Sequence, residues 1–218
     1  MTERPTIAST DGLALEAELD AVPEAKAALL LCHPHPKLGG TMNAPLLLAV
    51  RDEMVGRGWT VLRFNFRGVG ASEGEASTGV EEVADAQGGL DYLRDRSRAP
   101  LAIAGWSFGA AVALRTAARN DDLVGCAALA PSVQPRSEVS AGLPPARDLG
   151  LALPVLVVVG ANDEVVDPDA VREWASDLDG VSLEVVPGAN HFFWARYERL
   201  SGVVGDFLDE CLRGGDGE

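Results

Sequence analysis

Gly105-Trp106-Ser107-Phe108-Gly109 joins a short apolar run, residues 101–105, to an alanine-rich helical pattern that follows it. A serine held between a strand and a helix sits on a turn sharp enough to strain the backbone. Glycines two residues either side let the flanking elements approach each other closely. The helix N-terminus then directs unsatisfied N–H groups at whatever negative charge develops near the serine. A strand–Ser107–helix unit of this kind needs a mostly parallel sheet with crossover helices around it. Five letters are a short signal in a chain with 24 Gly, and the chain contains a second match, Gly70-Ala71-Ser72-Glu73-Gly74. That match follows the apolar run 60–66 after a gap, and residues 75–79 read as loop, so Ser72 is expected to be a turn residue.

The rest of the chain supplies the sheet. Strand-like runs at 6–10 and 13–19 flank an Asp11-Gly12 turn signal and predict an antiparallel opening hairpin. Further runs follow at 27–32, 60–66, 101–105, 123–130, 154–160 and 182–186. Helical segments lie at 44–57, 80–96, 108–119, 168–178 and 194–212. Strands alternating with helices predict an α/β fold, a mostly parallel twisted sheet with helices on both faces, in one domain over residues 1–218. Its active face is expected at the carboxyl ends of the strands.

Composition narrows the partners. A formal net charge of −15 disfavours nucleic acid and anionic membrane surfaces. No apolar run has the length of a membrane span, and the start lacks a signal-peptide pattern, so the expected location is cytoplasmic. Three cysteines without metal-like spacing predict reduced, mostly buried thiols. His33 and His35, spaced i, i+2, make a poor metal site, and no metal is expected. The run Gly68-Val69-Gly70-Ala71-Ser72-Glu73 lacks the third glycine of a dinucleotide fingerprint and opens no helix; no cofactor is expected.

Three groups fall at predicted strand ends. Ser107 follows the run 101–105, Asp163 follows 154–160, and His191 follows 182–186. A serine hydroxyl needs a base beside it to become a nucleophile. Neutral imidazole serves, and a carboxylate on its other nitrogen fixes the tautomer and stabilises the imidazolium. Asp167 is the alternative acid, although Asp167-Pro168-Asp169 reads as a helix cap and first turn. An oxyanion formed at the serine would be held by the backbone N–H of Phe108 and by one from the loop after the run 27–32. Pro34 and Pro36 have no N–H there, which leaves His33, His35 and Lys37; the N–H of His35, stiffened by both prolines, is the expected second donor. Whether either histidine side chain acts is left open.

The ordered segments HPHPKLGGTMN (33–43), RFNFRGVGASEG (63–74), GWSFG (105–109), GANDEVV (160–166) and GANHFF (188–193) resemble the short, lidless, bacterial dienelactone-hydrolase-like members of the α/β-hydrolase superfamily. The resemblance spans roughly residues 13–212 and agrees with the Ser, Asp, His order of that superfamily. It implies an α/β-hydrolase fold and a serine hydrolase with Ser107, Asp163 and His191 as its triad. The implied substrate is a small carboxylic ester, cleaved through an acyl-enzyme. Dienelactone hydrolases proper carry cysteine where this chain has Ser107, so dienelactone hydrolysis is not expected. The same triad would also serve a thioesterase, peptidase or acyltransferase, and a non-enzymatic interaction protein on the same scaffold is the alternative from another class. The segment 131–153 is too short for a multi-helix lid, which predicts an open site. Trp106, Phe108, Phe192, Phe193 and Trp194 flank the candidate positions as pocket or scaffold aromatics.

Overall fold

The computed structural model describes residues 2–215; residues 1 and 216–218 of the single domain expected over 1–218 lie outside the described residues. The strands are β1 (Thr2–Glu3), β2 (Thr6–Ala8), β3 (Ala14–Asp20), β4 (Ala27–Cys32), β5 (Trp59–Phe64), β6 (Leu101–Trp106), β7 (Leu123–Leu129), β8 (Val155–Gly160) and β9 (Val181–Val186). The helices are α1 (Pro45–Gly56), α2 (Glu82–Arg96), α3 (Phe108–Ala117), α4 (Ala146–Leu149), α5 (Pro168–Ser176) and α6 (Tyr197–Gly215). The sheet order is β1-β3-β5-β4-β6-β7-β8-β9, with β2 paired to β3. From β4 to β9 every pairing is parallel, whereas β1, β2 and β3 pair antiparallel.

This is the α/β-hydrolase fold. Residues of β4, β6 and β8 are buried along their whole length, as a sheet covered on both faces requires, and their runs of Leu, Ala and Val show no alternation. The chain moves one way along the sheet from β4 to β5 and the other way from β5 to β6. Right-handed crossovers therefore put α1 and α2 on opposite faces. In agreement, α1 packs against α6, and α2 against α3. Among the described residues no helix is long and apolar enough to cross a membrane.

The expected hairpin forms, with Ile7 opposite Leu15. Two expectations shift. The run 60–66 leaves strand geometry after Phe64, because Asn65 turns its side chain to the neighbouring loop, accepting from the Met42 N–H at 2.9 Å and donating to Glu16 at 2.7 Å. The last helix starts at Tyr197 rather than near 194, because Phe193 (φ 51°) and Ala195 (φ 60°) take left-handed backbone that a helix excludes. The segment 131–153 holds only the single turn α4 and a small bridge between Arg136 and Ser140, in line with the expected lack of a lid.

Candidate active site

The turn at Ser107 is as tight as its glycines suggest. Ser107 has φ 58° and ψ −115° and its N–H donates to the Leu129 carbonyl at 2.8 Å, tying the turn to the end of β7. A Cβ on Gly105 would sit 2.3 Å from the Gly109 oxygen. One on Gly109 would sit 2.3 Å from the Cys32 oxygen and 2.4 Å from that of His33. Helix α3 therefore starts in direct backbone contact with the end of β4, a distance no side chain permits.

The ends of β8 and β9 bring the other two groups to this turn. The Ser107 Oγ is 3.0 Å from His191 Nε2, and His191 Nδ1 is 2.8 Å from Asp163 Oδ2. An ionised carboxylate only accepts, so Nδ1 carries the proton toward Asp163 and Nε2 is left to accept the serine O–H. The Asp163 side chain is fully buried. Its other oxygen accepts the N–H groups of Val165 and Val166 at 2.9 and 2.8 Å. Asp167 does not approach His191; it caps α5, accepting from the Asp169 N–H at 3.0 Å. Ser72 is remote from all this. Its hydroxyl donates to the Asn65 carbonyl at 2.7 Å and accepts from the Glu16 N–H at 3.0 Å, the part of a turn residue.

The loop after β4 supplies the facing wall. His33 accepts the Phe66 N–H on Nε2 at 3.0 Å and donates from Nδ1 to the Pro34 carbonyl at 2.6 Å. Burial lowers its pKa to about 4, so it is neutral at pH 7 and acts as a bracket between two loops. His35 accepts the Lys37 N–H on Nδ1 at 3.0 Å and donates from Nε2 to the Val139 carbonyl at 2.6 Å, with its ring 4.7 Å from that of Phe108. Both ring nitrogens are thus engaged in holding backbone, which answers the open question about these side chains. The backbone N–H groups of His35 and Phe108 have no acceptor among the described residues, and both residues line the cavity at Ser107. The loop continues through Gly40, where a Cβ would meet the Pro34 oxygen at 2.0 Å. Buried Arg63 then fixes Met42 and Asn43, donating to the Met42 carbonyl at 3.1 Å and the Asn43 Oδ1 at 2.8 Å.

The cavity has a volume of about 480 Å³. Trp106, Phe108 and Phe192 line it, whereas Phe193 belongs to the core, and Trp194 stands outside, 66% exposed and stacked on Phe192. Ser132, Arg136, Val139 and Ser140 complete one wall. Sequence reading missed these four, because no local pattern marks which face of an irregular segment meets a distant strand end. A depression of similar volume lies beside α2, lined by Asp11, Arg67 and Glu81 among others, and holds no serine, histidine or cysteine.

Comparison with known proteins agrees with the class that this fold and geometry define, an α/β serine hydrolase without a lid. A Xanthomonas campestris protein described as a lidless member of the α/β serine hydrolases is 32% identical, with a TM-score of 0.79 over 97% of this chain and 94% of its own. An α/β serine hydrolase homologue from Coxiella burnetii is 31% identical, with a TM-score of 0.81 over 94% of this chain and 96% of its own. An uncharacterized protein of Rickettsia prowazekii is 33% identical over 195 residues, 85% of this chain and 79% of that one. The chain belongs to the Hydrolase_4 family, described as serine aminopeptidase, S33, which matches residues 23–152. Its activity class is hydrolysis.

Proposed function

We propose that the chain hydrolyses small carboxylic esters, with Ser107 as nucleophile, His191 as general base and acid, and Asp163 as the group that orients His191. The observation that carries this reading is the unbroken contact from Asp163 Oδ2 through both nitrogens of His191 to Ser107 Oγ, at 2.8 and 3.0 Å. Ser107 attacks the ester carbonyl as its proton passes to His191 Nε2. The oxyanion takes hydrogen bonds from the N–H groups of Phe108 and His35, which have no other acceptor among the described residues. The tetrahedral centre collapses, and the alcohol leaves with the proton from His191. Water, deprotonated by His191, then attacks the acyl-enzyme and releases the acid. In this reading the chain acts as one domain on a small-molecule ester and needs neither metal nor cofactor.

The family description raises aminopeptidase activity as a second reading. A free α-amino group calls for a carboxylate in the pocket. Among the described residues lining this cavity there is none, and the one charged side chain is the cation of Arg136. That favours esters.

Intact-mass analysis after treatment with a fluorophosphonate tests the assignment without assuming a substrate. A single adduct on the wild type, absent from Ser107→Ala, is the expected result, together with a fall in ester kcat of about 10⁶ in that variant. Near-wild-type turnover by Ser107→Ala would refute the proposal.

A further inference from the structure

Arg136 contributes the only charged side chain among the described residues that line the cavity, in a chain with 33 acidic and 18 basic residues. It has no carboxylate within ion-pair distance among the described residues. The segment that carries it is a hydrogen-bonded turn. The Arg136 N–H donates to the Ser140 carbonyl at 2.8 Å, the Val139 N–H donates back to Arg136 at 2.8 Å, and Ser137 closes the turn at φ 43°. The Val139 carbonyl then takes the His35 hydrogen bond at 2.6 Å, so this turn is pinned to a residue that itself lines the cavity. The guanidinium is oriented as well: Nη1 donates to the carbonyl of Val165, itself a lining residue, at 3.1 Å. Its remaining N–H groups have no acceptor among the described residues, and a guanidinium fork of this kind matches a carboxylate.

Resting on the ester-hydrolase reading above, we propose that the preferred substrates are hemiesters of short dicarboxylic acids, whose free carboxylate is held by Arg136 while the ester carbonyl lies at Ser107. Leu38, Trp106, Phe108, Val139 and Phe192 give the space between an apolar lining suited to a few methylene groups. One cation, exposed at the cavity wall, and one cavity of about 480 Å³ fit one negative charge on a short acyl chain. The competing account is that Arg136 only braces Val165 and offsets Glu164 and Asp167 on the neighbouring surface. That account predicts no discrimination between acidic and neutral acyl groups.

The test is kcat/KM for 4-nitrophenyl hemiglutarate against 4-nitrophenyl pentanoate, which shares its acyl length and leaving group. The wild type should favour the hemiglutarate, and Arg136→Gln should lower the acid-to-neutral ratio by about tenfold or more, chiefly through KM. Arg147→Gln removes the same charge from an exposed site paired with Asp177 and should keep the ratio. A second pair, 4-carboxyphenyl butyrate against phenyl butyrate, puts the acid on the leaving group instead, and a preference confined to that pair overturns the acyl assignment. Pentanoate turnover with the same ratio in the wild type and Arg136→Gln overturns the role of Arg136 and leaves the ester-hydrolase reading intact. Absence of turnover on every ester, with Ser107 unlabelled by fluorophosphonate, overturns both.

Discussion

The indole N–H of Trp106 donates to the backbone carbonyl of His191 at 3.2 Å, and the two rings lie 5.9 Å apart. The residue before Ser107 therefore holds the loop that brings His191 to it, across 85 positions of sequence. Trp106→Phe keeps an aromatic wall and removes the donor. We expect kcat to fall by about two- to tenfold, the worth of one neutral hydrogen bond, with less effect on KM. Near-wild-type kcat/KM for Trp106→Phe beside a large loss for Trp106→Ala would show that bulk, not the hydrogen bond, matters.

Asp163→Asn tests the tautomer. With the carboxamide oxygen kept on the Val165 and Val166 N–H groups, its NH₂ faces His191 Nδ1, which must then accept. The imidazole proton moves to Nε2, where it points at Ser107 and cannot receive the serine proton. A kcat lower by about 10⁴ with an unchanged fold is expected. Asp167→Ala, which removes the cap of α5, should cost stability and leave the chemistry alone. Steady-state ester kinetics on both variants, beside their melting temperatures, decide between the two acids.

Glycine substitutions separate crowding from propensity. Gly109→Ala would force a Cβ to 2.3 Å from a backbone oxygen of β4, and no side chain can yield there. A loss of about 3 kcal/mol is expected, along with displaced Ser107 and lost ester turnover. Gly202→Ala lies in α6 with nothing within 4 Å of the added carbon. There the helix gains about 0.5–1 kcal/mol. Urea denaturation of the two variants should move the midpoint in opposite directions.

The features legible in the sequence are those fixed by neighbours. Strands β4, β6 and β8 announce themselves as unbroken apolar runs because both of their faces are covered, and Gly105 and Gly109 are needed by the turn that they flank. Asp163 and Asp167 could be told apart because Pro168 at a helix start makes its predecessor a cap. The rest depends on contacts between distant residues. The His35 ring reaches Val139 across 104 positions, and Arg136 meets the cavity only through that contact and the tight turn at Ser137. No periodicity marks either. The start of α6 was misplaced for a related reason: Phe193 is buried in left-handed backbone, and tertiary packing there overrides the helical pattern.

His33 gives a pH signature of stability distinct from catalysis. Buried and bound as an acceptor to the Phe66 N–H, it has its pKa lowered to about 4, against about 6.5 in the unfolded chain. Between these values the unfolded chain binds the extra proton and the native one does not. Stability from this residue is therefore complete above pH 6.5, falls as the pH drops toward 4, and levels off below it. The whole effect is about 3 kcal/mol. Carboxylates whose pKa is lowered by partners, such as Asp20 beside Thr2 and Arg51, contribute their loss only below about pH 4, so the two regimes separate. Urea unfolding of the wild type from pH 7.5 to 4 should show the decline, and His33→Gln, less stable at neutral pH, should show a flatter profile over the same interval. A wild-type stability that stays level from pH 6.5 to 4.5 would mean that His33 is protonated in the native state and that its bracket to Phe66 is not maintained.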